Sequence, residues 1–205
     1  MVYDPEKHHR RSIRLRDYDY SQVGAYFVTV CTHGGVCSLG QIDDEVVKLS
    51  QAGQIILRCW RELPVRFPHV ELDAFVIMPN HLHCVPVITD PPVGAGSPRP
   101  DGSPPVDRAG EPCPYQETSK RGLGQIIAYF KYQSAKQINR LRGTPGSRIW
   151  QRNYYEHIIR SQKSLDAVRR YIQANPAQWP FDSDNPANIL ASKRGVTLPL
   201  QEEQT

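Results

Sequence analysis

The sequence predicts an α+β fold, a sandwich in which an antiparallel sheet carries helices packed on one face. Three observations lead to it: short β-branched and aromatic runs, longer stretches with helical spacing of apolar residues, and the order in which the two alternate. The 205 residues are 39% hydrophobic and 22% charged, a composition typical of a soluble globular domain with extensions.

The first half of the chain predicts three strands and one helix. Residues 26–32 and 70–78 are rich in the β-branched and aromatic residues that strands favour. Residues 46–63 follow an acidic run and have a partial helical period, so we expect a helix there that prolines end. Residues 81–89 predict a third strand after a tight turn, and Pro86 inside it indicates an edge position or a bulge.

The second half begins with a break in the pattern. Residues 90–118 contain eight of the chain's 18 prolines and four glycines, a composition that cannot bury a core and predicts a flexible insert. Residues 120–142 then have a clear helical period, and residues 154–159 predict a fourth strand.

A last helix closes the predicted domain. Ser161 or Ser164 can cap it, and Pro176 is expected to stop it near Asn175. The order strand, helix, strand, strand, helix, strand, helix suits the ferredoxin-like motif. We therefore expect one domain over residues 20–181, with a basic N-terminal extension over 1–19 and a polar, loosely attached tail over 182–205.

Basic residues are concentrated in two regions. The net charge is only +4, but residues 119–160 carry nine Lys or Arg and one acid, and the first sixteen residues carry five basic and two acidic side chains. This concentration indicates a polyanionic partner, most simply nucleic acid, although one basic helix alone would more simply be a solvated face. The candidate DNA contacts are Arg14, Arg16, Lys120, Arg121, Lys131, Lys136, Arg140, Arg152, His157, Arg160, Arg169 and Arg170.

The cysteine count and the short apolar stretches exclude several classes of protein. The five cysteines are odd in number and form no CxxC pair, so neither a disulfide framework nor a four-cysteine zinc site is expected. No apolar stretch approaches the roughly 20 residues that span a membrane, and the first residues lack the apolar core of a secretory signal. We expect a cytoplasmic protein with no membrane partner.

The triplet His81-Leu82-His83 is the strongest candidate for chemistry. Side chains at i and i+2 of a strand point to the same face, so two imidazoles can converge on one metal ion while Leu82 enters a core. Two histidines on a strand are nevertheless more often packing or surface residues. The metal hypothesis therefore depends on what completes the site.

The last helix offers the missing groups. Tyr171 and Asn175 are four residues apart and share a helical face. If that helix lies near the histidines, the Asn175 amide oxygen is a third ligand and the Tyr171 hydroxyl stands free beside the metal. Two imidazoles and an amide suit Mg²⁺ or Mn²⁺ when phosphate oxygens and water complete the set, and zinc remains possible.

In this hypothesis Tyr171 attacks a scissile phosphate in line and forms a phosphotyrosine. Its pKa of about 10 must be lowered for attack near neutrality, and the metal together with Arg169 or Arg170 is expected to do so. Each element also has a simpler explanation: a tyrosine on an amphipathic helix usually packs, and an asparagine before proline usually ends a helix.

Three blocks in this order resemble the REP-associated tyrosine transposases, a branch of the single-tyrosine HUH transposases. Residues 78–83 (M-P-N-H-L-H) match the HUH motif, residues 149–160 (I-W-Q-R-N-Y-Y-E-H-I-I-R) match the W-Q-x-x-[FY]-[YFW]-[DE]-H-x-[IL]-R block, and residues 171–176 (Y-I-Q-A-N-P) match the Y-I-x-x-N-P block. The resemblance covers residues 20–181 without the proline-rich insert. That insert and Pro86 depart from the pattern.

The resemblance implies a role for each matched residue. His81 and His83 correspond to the metal-binding pair, Tyr171 to the catalytic tyrosine, and Asn175 to the polar residue that completes the metal site. It further implies a Mg²⁺- or Mn²⁺-dependent enzyme that cleaves and transfers single-stranded or hairpin DNA, at palindromic repeats, through a 5′-phosphotyrosine with a free 3′-OH. Relatives of this kind act as monomers or homodimers.

Two alternatives from other classes stay open. A ferredoxin-like sheet with exposed aromatic residues can stack single-stranded bases without catalysis. A metallo-hydrolase would activate water at the metal, and Tyr171 would then only orient the substrate. The first predicts binding without a covalent adduct, and the second predicts cleavage without one.

Overall fold

The computed structural model describes residues 18–90 and 122–188. In chain order its strands are β1 Gly24–Cys31, β2 Gly40–Asp43, β3 Val46–Leu49, β4 Val70–Ile77, β5 His81–Ile88 and β6 Tyr155–Ile159. Its α-helices are α1 Gln51–Arg61, α2 Leu63–Arg66, α3 Leu123–Arg142 and α4 Gln162–Gln178. A four-stranded antiparallel sheet has the order β4-β5-β1-β6, and β2 and β3 form a separate hairpin.

The four-stranded sheet confirms the predicted fold class. Apart from the inserted β2–β3 hairpin and the short α2, the order is strand, helix, strand, strand, helix and strand, and the central pair is β5 and β1, as in the ferredoxin-like motif. The tight turn after β4 is also confirmed, because Met78 N donates to His81 O at 2.8 Å and closes it. This turn places the two histidines at the start of a central strand in which every residue except Val87 is buried.

Both faces of the sheet are covered, whereas the sequence predicted helices on one face. Helices α1 and α3 pack with Tyr26, Val28 and Val30 of β1. Helix α4 packs on the opposite side, with the intervening Ala25 and Phe27. The prediction holds for the two ferredoxin-type helices and fails for α4, because the apolar residues of β1 and β5 alternate toward two separate cores.

The predicted helix over residues 46–63 is wrong in its first turn. Residues 46–49 form β3, and the true helix starts at Gln51, where the Ser50 hydroxyl caps it by accepting from Gly53 N at 3.2 Å. Asp44 and Glu45 make the hairpin turn with φ of 48° and 61°. Neither is a glycine, which this type of turn usually requires, so the sequence contained no hairpin signal.

Pro86 was expected to mark an edge strand or a bulge. It lies in the central strand β5, so the edge position is wrong and the bulge is confirmed. The partner strand shifts register between Leu72 and Phe75, opposite this proline. Because proline has no N–H to donate to a ladder, the neighbouring strand bulges around it.

The C-terminal end of the domain also differs from the prediction. Pro176 lies inside α4, which continues to Gln178. The proline ring fixes φ at a helical value, so the helix can continue through it. Because proline has no N–H, one backbone hydrogen bond of the helix is lost. A short 3₁₀ helix, Trp179–Phe181, follows, and the start of the expected loose tail, residues 182–188, is held by side-chain hydrogen bonds. Over residues 18–90 and 122–188 no helix combines the length and apolar character needed to cross a bilayer.

Candidate functional site

The two histidines of β5 point into one small buried region on the α4 side of the sheet. His81 is 1% exposed, and its Nε2 lies 3.1 Å from Nε2 of His83. Phe27 stacks on the His83 ring with centroids 5.3 Å apart, and the ring of Trp179 lies 6.1 Å from that of His81. The strand period therefore brings both imidazoles to one place, as the spacing predicted.

Hydrogen bonds fix the orientation of both rings. The amide nitrogen of Asn80 donates to Gly35 O and Asp184 O at 3.2 and 2.6 Å, so its oxygen is the atom that faces His81 Nδ1 at 2.9 Å. That oxygen can only accept, so neutral His81 carries its proton on Nδ1 and presents an Nε2 lone pair. Thr29 Oγ1 contacts His83 Nδ1 at 2.8 Å, and because a hydroxyl can donate or accept, this contact orients the His83 ring without assigning its proton. Such partners on the far nitrogen are typical of metal-ligating histidines.

Helix α4 brings Tyr171 and Asn175 to the histidines. The Tyr171 hydroxyl lies 3.4 Å from His83 Nε2, and the side chain is 51% exposed. Asn175 is 3% exposed, and its amide oxygen has no hydrogen-bond partner among the described residues. A buried amide oxygen without a donor is costly, so this atom indicates a group that the protein itself does not supply.

The buried setting favours neutral imidazoles. Burial lowers the pKa of His83 to about 3, and the adjacent His81 acts in the same direction. Burial also lowers the pKa of His81, against the opposing effect of Asp182, Asp184 and the Asn175 side chain. Neutral imidazole is the form that binds a metal ion.

The expectation that arginine lowers the pKa of Tyr171 is wrong for the protein alone. Burial raises this pKa, the Asn175 side chain lowers it, and the charges of Asp182 and Asp184 raise it again. Arg169 does not act on the hydroxyl, because it donates to Asp73 of β4 through Nε at 2.9 Å and Nη2 at 2.5 Å. Arg169 therefore holds α4 to the sheet, although the sequence suggested a DNA contact.

Lys131 is a second predicted DNA contact that the structure uses internally. Its ammonium donates to Gln151 O at 2.6 Å, to Arg152 O at 3.1 Å and to Asn153 O at 3.3 Å. Burial lowers its pKa to about 8. Three carbonyls occupy the three donors of an ammonium, so this lysine is not available to a phosphate.

The other predicted DNA contacts are distributed over both faces. Arg152, His157, Arg160 and Arg170 are exposed, and His157 pairs in register with Phe27 beside His83. Lys136 and Arg140 line a cavity of about 580 Å³ at the end of α3, which packs on the opposite face of the sheet from the histidines. Arg14, Arg16, Lys120, Arg121 and the insert after Asp90 lie outside the described residues.

The donor set fits a divalent cation. Two imidazoles whose rings are oriented by hydrogen bonds and one unpartnered amide oxygen are grouped in a buried site with a phenol at its rim. No three His, Cys, Asp or Glu side chains of the described residues form a metal-binding group as they stand, so the amide is the ligand that would extend the pair. His81, His83 and Asn175 would hold the ion, with nitrogen and oxygen donors that suit Mg²⁺ or Mn²⁺.

Several residues of the site were absent from the sequence prediction. Asn80 immediately precedes His81 in the matched block of residues 78–83 and in a tight turn, but neither signal shows that its side chain contacts His81. Thr29 and Phe27 come from β1, and only the register with β5 shows their positions. Asp182, whose Oδ2 lies 3.8 Å from His81 Nε2, falls in a segment that the sequence assigned to the tail.

Comparisons with known proteins agree with this architecture. No family model matches the chain. An uncharacterized protein of Haemophilus influenzae is 37% identical over 180 residues, which cover 88% of this chain and 95% of that protein. The solved structure of a REP-associated tyrosine transposase bound to a REP hairpin has a TM-score of 0.52 and 21% identity, and covers 90% of this chain and 88% of that one. At this identity the structural likeness establishes the fold.

Proposed function

We propose that this chain, which belongs to the family of the Haemophilus influenzae protein and has the fold of the REP-associated tyrosine transposase, is a DNA strand transferase with a tyrosine nucleophile. The observation that carries the proposal is the distance of 3.4 Å between the Tyr171 hydroxyl and His83 Nε2. It brings together two of the three ordered sequence blocks, one on β5 and the other on α4. The third block, residues 149–160, supplies β6 beside β1.

We assign metal binding and nucleophilic attack to different residues. His81, His83 and Asn175 hold a divalent cation, which when bound polarises the scissile phosphate and neutralises developing charge. The Tyr171 oxygen attacks phosphorus, the new O–P bond forms a 5′-phosphotyrosine, and the P–O3′ bond breaks to release a 3′-OH that takes up a proton. The tyrosine proton can pass to water because the side chain is half exposed.

Single-stranded or hairpin DNA is the proposed substrate. Tyr155 is 44% exposed on β6, and its ring lies 6.2 Å from Phe27, which in turn contacts Tyr171 at 5.9 Å. An exposed tyrosine next to the nucleophile offers a stacking surface for an unpaired base. The exposed Arg152, His157, Arg160 and Arg170 supply positive charge for the backbone. Palindromic repeats are the proposed class of sequence, and the REP-associated structure is itself bound to a REP hairpin.

The proposal is tested by incubating the protein with hairpin DNA that carries single-stranded flanks, in Mn²⁺ or Mg²⁺. We expect a protein–DNA adduct that resists denaturation with wild type and with Tyr155→Phe, and none with Tyr171→Phe. Replacement of both His81 and His83 with Ala should abolish the adduct while DNA binding is largely kept. Cleavage by Tyr171→Phe at the wild-type rate would support a metallo-hydrolase instead, and binding without cleavage would support a non-catalytic module.

A further inference from the structure

The segment after α4 brings a carboxylate to the histidines. Asp182 Oδ2 lies 3.8 Å from His81 Nε2, and the side chain is 14% exposed. The other carboxylate oxygen, Oδ1, already accepts from Asp184 N at 2.7 Å. Asp182 therefore has one oxygen in a local turn, while the other faces the lone pair of His81.

Side-chain hydrogen bonds hold the segment that carries Asp182 in place. Asn80, whose oxygen fixes the His81 tautomer, also donates to Asp184 O at 2.6 Å. Asn188 Nδ2 donates to Asp182 O at 2.9 Å, and Asn185 Nδ2 donates to Trp179 O at 2.9 Å. One side chain therefore orients the imidazole and anchors the segment that carries the carboxylate.

The arrangement lacks a positive charge between its parts. His81 presents an Nε2 lone pair, so the carboxylate at 3.8 Å has no proton to accept from that atom, and both groups are acceptors. The amide oxygen of Asn175, also buried, has no partner among residues 18–90 and 122–188. Buried acceptors without a donor are unfavourable, and a cation stabilises them.

The distances suit ligands of one ion. With bonds of about 2.1 Å, neighbouring ligands of an octahedral ion lie roughly 3 Å apart. The separation of the two histidine nitrogens is 3.1 Å, and that of Asp182 Oδ2 from His81 Nε2 is 3.8 Å. At 3.8 Å the carboxylate does not complete a metal-binding group with the two histidines among the described residues as they stand, so Asp182 must move toward the ion when the ion binds.

We propose that Asp182 is a further ligand of the metal ion, in addition to His81, His83 and Asn175. This inference rests on the proposed function, because it concerns the same ion. A charged oxygen ligand shifts the site toward Mg²⁺ and Mn²⁺, which prefer carboxylates, and away from softer ions. It also makes the segment after α4 a part of the active site.

The test measures Mn²⁺ binding to the full chain without DNA, by calorimetry and by the electron paramagnetic resonance signal of free Mn²⁺. Asp182→Asn keeps the shape and the local turn, and it should weaken the Kd by about tenfold or more, in the range seen when the surroundings of a metal are altered. Asp184→Asn is the matched control. It removes the same charge from a side chain that is exposed and lies two residues after Asp182. It should change the Kd by less than about threefold, since exposed charges are screened.

The outcomes separate this proposal from the proposed function. If His81→Ala loses Mn²⁺ while Asp182→Asn binds like wild type, or if Asp184→Asn weakens binding equally, the assignment of Asp182 is wrong and the metal site stands. If wild type and His81→Ala both fail to bind Mn²⁺, the metal site itself is wrong and Asp182 fails with it. Circular dichroism of each variant confirms that the fold is kept.

Discussion

Arg169 of α4 donates to both carboxylate oxygens of Asp73 in β4, from Nε at 2.9 Å and from Nη2 at 2.5 Å. This two-pronged contact fixes the helix against the sheet two residues before Tyr171. A planar guanidinium matches a carboxylate in this geometry and restrains direction as well as distance. Tyr171, the proposed nucleophile, is therefore positioned from a strand that contains no other proposed catalytic residue.

The first prediction concerns this contact. Asp73→Asn should slow single-turnover adduct formation by roughly tenfold or more, because a small misplacement of a reacting group costs that much. Asp166→Asn removes the other carboxylate partner of Arg169, at 3.1 Å, and should have a much smaller effect. Equal rates for wild type and Asp73→Asn would show that the contact does not position Tyr171.

The same pair gives a pH-dependent contribution to stability. The hydrogen bond from Arg169 lowers the pKa of Asp73, against the opposing effect of burial. The unfolded chain takes up a proton near pH 4, whereas the folded chain does so only at lower pH. The stabilisation is thus complete above about pH 4 and is lost as the pH falls through the folded pKa. Urea denaturation should show the stability difference between wild type and Asp73→Asn shrinking from pH 6 to pH 2. A constant difference over this range would exclude the linkage.

Lys131 is predicted to act on stability and not on DNA binding. Lys131→Met leaves three carbonyls without a charged donor and should lower the free energy of unfolding by about 1–3 kcal/mol. Lys136→Met, at an exposed position of the same helix, should leave stability unchanged. If Lys131→Met weakens DNA binding without destabilising the fold, the internal role assigned to this lysine is incorrect.

The partners of the histidine rings should control metal affinity. Asn80→Ala and Thr29→Val each free one Nδ1 and should weaken Mn²⁺ binding by about 10- to 100-fold. Thr32→Val is a suitable control, because it removes a buried hydroxyl that donates to Val36 O at 3.0 Å and touches neither ring. Calorimetry checks the three variants, and a loss of affinity in Thr32→Val equal to that in Thr29→Val would indicate a general loosening of the structure around the end of β1 and not a loss of ring contacts.

Much of this architecture is predictable from sequence, for identifiable reasons. The strands at residues 26–32 and 70–78 and the stripe of α3 have strong periodicity, and local signals such as the Ser161 cap follow from short-range hydrogen bonds. The hairpin of β2 and β3 was missed because Asp44 and Glu45 adopt positive φ without glycine. The internal roles of Lys131 and Arg169 were missed because their partners are distant in sequence, and a charge pattern does not show which charges are paired.

In the site, too, local patterns were predictable from the sequence and contacts between distant segments were not. His81 and His83 are linked by strand period, and Tyr171 and Asn175 by helix period, so each pair was predictable within its own element. That β5 and α4 meet was inferred from chemistry, and the contact of 3.4 Å between Tyr171 and His83 agrees with it. The approach of Asp182 depends on hydrogen bonds through Asn80, which no local pattern encodes.

Tyr171 is proposed to form the covalent link to DNA, and locating that link tests the proposal. The adduct formed with hairpin DNA and Mn²⁺ is digested with protease and nuclease, and the peptide that retains a nucleotide is sequenced by mass spectrometry. We expect the modification on Tyr171, through a 5′-phosphate, among the ten tyrosines of the chain. A nucleotide on Tyr154, Tyr155 or any other residue, or cleavage that leaves no modified peptide, would contradict it.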